Sequence, residues 1–143
     1  MSQPLQPITD EQLSTEGLEL RDYGRVLLIA CGALAREILA LINANGWTHM
    51  DLQCLPAIYH NEPSRITPSV KAAIEKYQPE YADIFIVYAD CGTGGKLKRL
   101  CDDMGVSMIA GPHCYSFYEG NTDFQAREDL TCFYLTDFLV RQF

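Results

Sequence analysis

Nowhere in the 143 residues do two cysteines stand in a Cys-x-x-Cys pair, although the chain has six of them. Zinc knuckles of the usual spacing are therefore excluded, and a metal site must draw its cysteines from distant parts of the chain. Basic residues are also few. Eleven Lys and Arg stand against 19 Asp and Glu, and the formal net charge of -8 argues against nucleic acid or any other polyanion as partner. No apolar run approaches the roughly 20 residues that span a bilayer, and no basic-then-apolar leader opens the chain. The expectation is a cytoplasmic protein with no membrane partner, its cysteines reduced thiols in core, metal or catalytic roles rather than a disulfide framework.

With 48% apolar and 21% charged residues the composition is that of a globular protein, and the length suits one core rather than two. Residues 1–24 are polar, hold Pro4 and Pro7, and lack an apolar period. They read as an N-terminal arm ahead of a single α/β domain over 25–143. "RVLLIACG" is an apolar run of the kind that forms a strand buried on both faces. The helix "ALAREILALINANGW" follows, with Leu34, Ile38, Leu41 and Ile42 at helical spacing and Gly46 as its stop.

"MDLQCLPAIYHN" starts as a second strand and breaks at Pro56. In "RITPSVKAAIEKYQPEY", Thr67 is placed to cap a helix whose first turn holds Pro68 and whose inner face is Val70, Ala73, Ile74 and Tyr77. "DIFIVYAD" is a third strand and "KLKRLCDDMG" a helix burying Leu97, Leu100, Cys101 and Met104. "VSMIAGPHCY" is a fourth strand with its exit loop, and "TCFYLTDFLVRQF" is apolar enough for a further strand or a closing helix. Strands alternating with helices predict a three-layer, Rossmann-like α/β fold with a mostly parallel sheet of four or five strands.

Ligands of such sheets gather beyond the carboxyl ends of the strands. Three of those ends read "ACGA", "ADCGTGG" and "GPHCY", each with a cysteine beside glycine or proline. The second is not a P-loop, because Gly-x-x-x-x-Gly-Lys would need its second glycine at Leu97 rather than Gly95. It shares Asp-x-Gly-x-Gly with adenosyl-cofactor methyltransferases, which place that loop after their first strand; a methyltransferase is the third functional reading. Gly32, Gly92, Thr93, Gly94 and Gly95 are the candidate cofactor-binding residues, since glycine lets backbone N–H groups approach an anion or a sulfide-bearing cluster.

Cys31, Cys91 and Cys114 are the candidate metal ligands. A strand end that opens a helix favours thiolate, the form that binds metal. Cys54, Cys101 and Cys132 fall on apolar faces and read as small core residues. Sulfurs about a tetrahedral zinc lie roughly 3.8 Å apart, closer than the about 4.8 Å between neighbouring strands. On that ground an iron–sulfur cluster, [4Fe-4S] in type, is the first expectation and zinc the alternative. His60, His113 and Asp90 are the candidate catalytic or fourth-ligand groups, with Asp90 also placed to cap its loop; Glu37 is a further carboxylate near these ends, and His49 has no supporting context.

The blocks "ACGALAREI", "LPAIYHN", "YADCGTGG", "GPHCY" and "FYLTDFLVRQF" together resemble the family called domain of unknown function sixteen thirty-eight, over Val26 to Phe143. The resemblance implies that Cys31, Cys91, Cys114, His60 and His113 are signature positions and that Cys54, Cys101 and Cys132 are not. It also implies an association with corrinoid-dependent methyl transfer, and a further βα unit beyond Phe143. The function expected is metal binding, as an enzyme of sulfur or one-carbon chemistry acting on a small molecule or with a redox partner. The alternative is a metal carrier or accessory protein of a methyl-transfer system. The apolar end makes a homo-oligomer the expected assembly.

Overall fold

The structure, a computed structural model, describes residues 24–126. The arm read over 1–24, except its last residue, lies outside the described residues, as do Cys132 and the aromatic segment Phe133 to Phe143. Four strands form one all-parallel sheet: β1 Val26–Cys31, β2 Met50–Leu55, β3 Asp83–Val87 and β4 Ser107–Met108, in the order β2-β1-β3-β4. Between them run α1 Ala35–Asn45, α2 Ile66–Tyr77 and α3 Lys96–Met104. This is the α/β fold expected from the alternation of strand and helix.

The core is built from alternate residues of the two central strands. Leu27 lies opposite Ile84 and Ile29 opposite Ile86, and these four are at most 3% exposed. Parallel pairing puts each pair on one face of the sheet. That face is covered by Ile66, Val70 and Ile74 of α2 and by Leu97 and Cys101 of α3, all fully buried. Helix α1 buries none of its residues fully, and Ile38 packs only against the edge of the core.

Glycine ends α1 at Gly46 and α3 at Gly105, each left-handed, as the sequence indicates. The start of α2 differs from expectation. A 3₁₀ turn over Pro63–Arg65 runs straight into the helix at Ile66, so Thr67 lies inside the first turn, where its hydroxyl oxygen is buried without a hydrogen-bond partner instead of capping.

The strand order places the site. From β1 the chain moves outward to β2, and from β3 it moves the other way to β4, so the connections diverge between β1 and β3. Loops leaving adjacent strands on opposite courses open a crevice at the carboxyl edge. None of the described helices is long and apolar enough to cross a membrane.

Candidate metal centre

Each candidate donor follows a different strand. Cys31 is the last residue of β1 and caps the 3₁₀ turn Gly32–Leu34, its sulfur accepting the Ala33 N–H at 3.4 Å. Gly32 is needed there for room, since a Cβ would stand 2.8 Å from the Leu55 carbonyl oxygen. Pro56 ends β2, and the 3₁₀ turn Ala57–His60 carries the His60 ring back so that Nε2 lies 3.4 Å from the Cys31 sulfur.

Cys91 follows β3 with φ 48, the one described non-glycine residue with positive φ. That conformation costs an L-residue about 1–2 kcal/mol, and such strain gathers at functional sites. Gly92 continues the turn at φ 83, where a Cβ would meet Pro63 Cγ at 3.2 Å. Two backbone bonds then tie this loop to the one after β4. Asp90 N–H donates to Gly111 O at 2.9 Å and Cys91 N–H to Pro112 O at 3.0 Å. This lacing brings the Cys91 and Cys114 sulfurs to 3.1 Å, with both residues buried and both thiols free.

Strand separation therefore does not set the spacing of these two sulfurs. Strand separation limits sulfurs within strands, whereas Cys91 and Cys114 sit in loops that bend toward each other. Two sets of ligand atoms lie within 4.8 Å of one another: Cys31, His60 and Cys114, and His60, Cys91 and His113. His60 belongs to both sets. The sulfurs are buried and the two histidines half-buried, their ring centroids 5.1 Å apart.

Charge is distributed unevenly among the thiols. Donation from the Cys114 thiol and from His60 lowers both Cys31 and Cys91 to about 5, against the penalty of burial. Cys114 is held protonated because the neighbouring Cys31 and Cys91 sulfurs favour its thiol form and because it is buried. The same thiolates raise His60 to about 10. The metal-free site therefore favours thiolate at Cys31 and Cys91, thiol at Cys114 and imidazolium at His60.

His113 behaves differently from His60. Its Nδ1 accepts the Tyr115 N–H at 3.1 Å, so the neutral ring carries its proton on Nε2, while the residue also belongs to the group with His60 and Cys91 that could hold a metal. Burial lowers His113, in opposition to the attraction of Cys91.

Asp90 closes the glycine loop from within. Its carboxylate accepts the Thr93 hydroxyl at 2.8 Å, the Gly95 N–H at 2.8 Å and the Gly94 N–H at 3.3 Å. Partial burial raises the carboxyl, but Gly95, Thr93, Gly94 and Gly92 together hold it below the ordinary carboxylate range. Loop amides that could face a bound anion are in this way occupied by an internal one. Asp90→Ala is expected to cost about 0.5–2 kcal/mol, as loss of a capping side chain does, measured by denaturant unfolding of the metal-free protein. Its depressed pKa makes this contribution full above the unfolded carboxyl's titration and lost as pH falls through the folded value. An equal difference between the two proteins at neutral and strongly acid pH would contradict it.

The remaining expectations divide as follows. Cys54 is half-buried within β2, its thiol raised by burial, and Cys101 is fully buried on α3. Neither belongs to a group that could hold a metal among the described residues. One Glu37 carboxylate oxygen is buried without a partner, also outside those groups. Sequence reasoning passed over Tyr88 as one more apolar strand residue. Its hydroxyl is wholly buried and has no hydrogen-bond partner.

The family model described as Protein of unknown function (DUF1638) matches residues 54–143, and the chain belongs to that family. His60, Cys91, His113 and Cys114 fall within the match, and Cys31 precedes it. No curated protein matches the chain.

Proposed function

We propose that this member of the family binds one thiophilic divalent metal ion, zinc in the first instance, through Cys31, Cys91, Cys114 and His60. The observation that carries the reading is the meeting of four donors from four strand ends. The Cys114 sulfur touches that of Cys91 at 3.1 Å and lies within 4.8 Å of Cys31 and His60. Sulfurs around a tetrahedral zinc sit roughly 3.8 Å apart, so small side-chain adjustments would suit one ion. A multi-iron cluster spreads its thiolates over different irons and needs them farther apart. Soft sulfur ligands with one imidazole favour zinc over the hard cations.

When bound, the ion would gather and neutralise the thiolates. The protein's contribution is a dry sulfur floor with His60 and His113 between it and solvent. His60 would serve as the nitrogen ligand once it gives up its proton, and His113 would direct its Nε2–H at whatever lies beside the sulfurs. Four protein ligands make a closed site, which supports the metal carrier or structural role over Lewis-acid catalysis at an open position.

Metal analysis of anaerobically purified protein should find about one zinc per chain without acid-labile sulfide. Iron with sulfide would replace this reading by the cluster, and no metal uptake at all would remove both. Proton counting gives a sharper check. Cys31 and Cys91 are thiolate down to about pH 5, while Cys114 and His60 keep their protons at neutral pH, His60 up to about 10. Binding at pH 7 should release about two protons per ion. Affinity therefore rises with pH, and more steeply below about pH 5, where Cys31 and Cys91 also protonate. Calorimetry in buffers of different ionisation enthalpy measures the count. A release of about one proton would take His60 out of the ligand set.

A further inference from the structure

We infer that Tyr88 is the outer hydrogen-bond donor of the centre, its O–H directed at the Cys31 sulfur once that sulfur holds metal. This rests on the metal-site reading and adds a residue to it. Register places the side chain. Leu27 opposite Ile84 and Ile29 opposite Ile86 form successive rungs on the buried face; the paired register ends at Ala30 with Val87, and continuing it by one residue past β3 brings Tyr88 to the level of Cys31. Both are at most 1% exposed. The residue thus lies buried beside Cys31, beneath the carboxyl edge between β1 and β3.

The hydroxyl itself points to a missing acceptor. It is fully buried and no acceptor lies within full hydrogen-bond geometry, whereas a buried polar group left unpaired costs about 1–3 kcal/mol. A phenylalanine would fill the same space without that cost. Burial acts most strongly on this hydroxyl, and after it the sulfur cluster: Cys31, by charge and as a side-chain hydrogen-bonding neighbour, with Cys114 and Cys91 acting by charge. In the metal-free site Cys31 already receives the Ala33 N–H and faces His60 Nε2. Gathering the sulfurs around an ion frees Cys31 from His60, whose Nε2 turns to the metal, and leaves the sulfur an acceptor for Tyr88. Outer donors of this kind fix a ligand's orientation and tune how much charge it gives the metal.

Tyr88→Phe separates this role from simple packing. Zinc affinity, from competition with a chromophoric chelator, should fall by roughly 10–100-fold. The thiolate-to-metal absorption of the cobalt(II)-substituted protein should shift, because one sulfur loses its hydrogen bond. The metal-free variant should melt at the same temperature as the parent or higher, since an orphaned hydroxyl has been removed. Unchanged affinity and unchanged cobalt spectrum would overturn the inference while leaving the metal site intact. A metal-free variant that melts lower would also overturn it, because the hydroxyl would then have its partner without the ion. If neither protein takes up zinc or cobalt, the metal-site reading falls and this inference with it.

Discussion

Cys114→Ser is expected to abolish tight metal binding while leaving the chain folded. Cys114 stands between the other sulfurs, 3.1 Å from Cys91 and within one ligand group with Cys31 and His60. Replacing its soft thiolate by a hydroxyl removes a direct ligand, so the affinity should fall by more than the roughly 10–100-fold that loss of an outer partner costs. The effect on stability follows from linkage. An ion present at 100 times its dissociation constant adds about 2.7 kcal/mol to the parent protein, and the variant should lose that increment. A strong chelator should lower the parent's melting temperature and leave the variant's unchanged.

Cys101→Ser is the control that separates ligand from core. Cys101 is as completely buried as Cys114, but it lies on α3 and outside the groups that could hold a metal among the described residues. Burying a hydroxyl there should cost about 1–3 kcal/mol with metal affinity preserved. Equal loss of metal in both variants would mean that the thiols act through general stability, and the site assignment would fail.

Ile29→Ala should be the most damaging single change to the fold itself. Ile29 is fully buried on the central strand, in register with Gln53 of β2 on one side and Ile86 of β3 on the other. It belongs to the cluster that joins α2 and α3 to the sheet, and truncation leaves a cavity that cannot collapse without moving a strand. The expected cost is about 2–5 kcal/mol, against roughly 0.5–1.5 kcal/mol for Ile29→Val. Denaturant unfolding of the two metal-free proteins measures both values. Similar costs for the two substitutions would mean that the carboxyl half of β1 is less tightly packed than the structure shows.

The period of the apolar residues was enough to place the elements. Four apolar runs with breakers became four strands, and the inner faces of α2 and α3 hold the residues that their spacing indicates. Gly46 and Gly105 end helices because a left-handed stop suits glycine best. The start of α2 could not be read in this way. Thr67 has the chemistry of a cap, but the turn over Pro63–Arg65 supplies the helix with an earlier beginning, and capping chemistry yields to the path of the preceding chain.

The site was legible in kind and not in arrangement. A cysteine beside glycine or proline at three strand ends is a local signal, and a parallel sheet necessarily delivers such ends to one edge. What local sequence does not contain is the bending of one loop toward another. The Asp90–Gly111 and Cys91–Pro112 backbone bonds join residues more than 20 positions apart, and they tie the loop of Cys91 to the loop of Cys114.

The same limit explains Tyr88 and Asp90. An aromatic residue at a strand end looks like core until the register sets it beside Cys31. The carboxylate before Cys91 could be read as cap, ligand support or base, and the left-handed turn folds three loop donors onto it, as the capping role requires. Sequence by itself determined the elements, the order in which they alternate and the residue types gathered at the carboxyl edge, because those depend on period, breakers and chain direction. Tertiary structure alone decided which sulfurs touch, which histidine lies against Cys31 and which hydroxyl is buried without a partner, because those depend on distances between loops that only the assembled sheet sets.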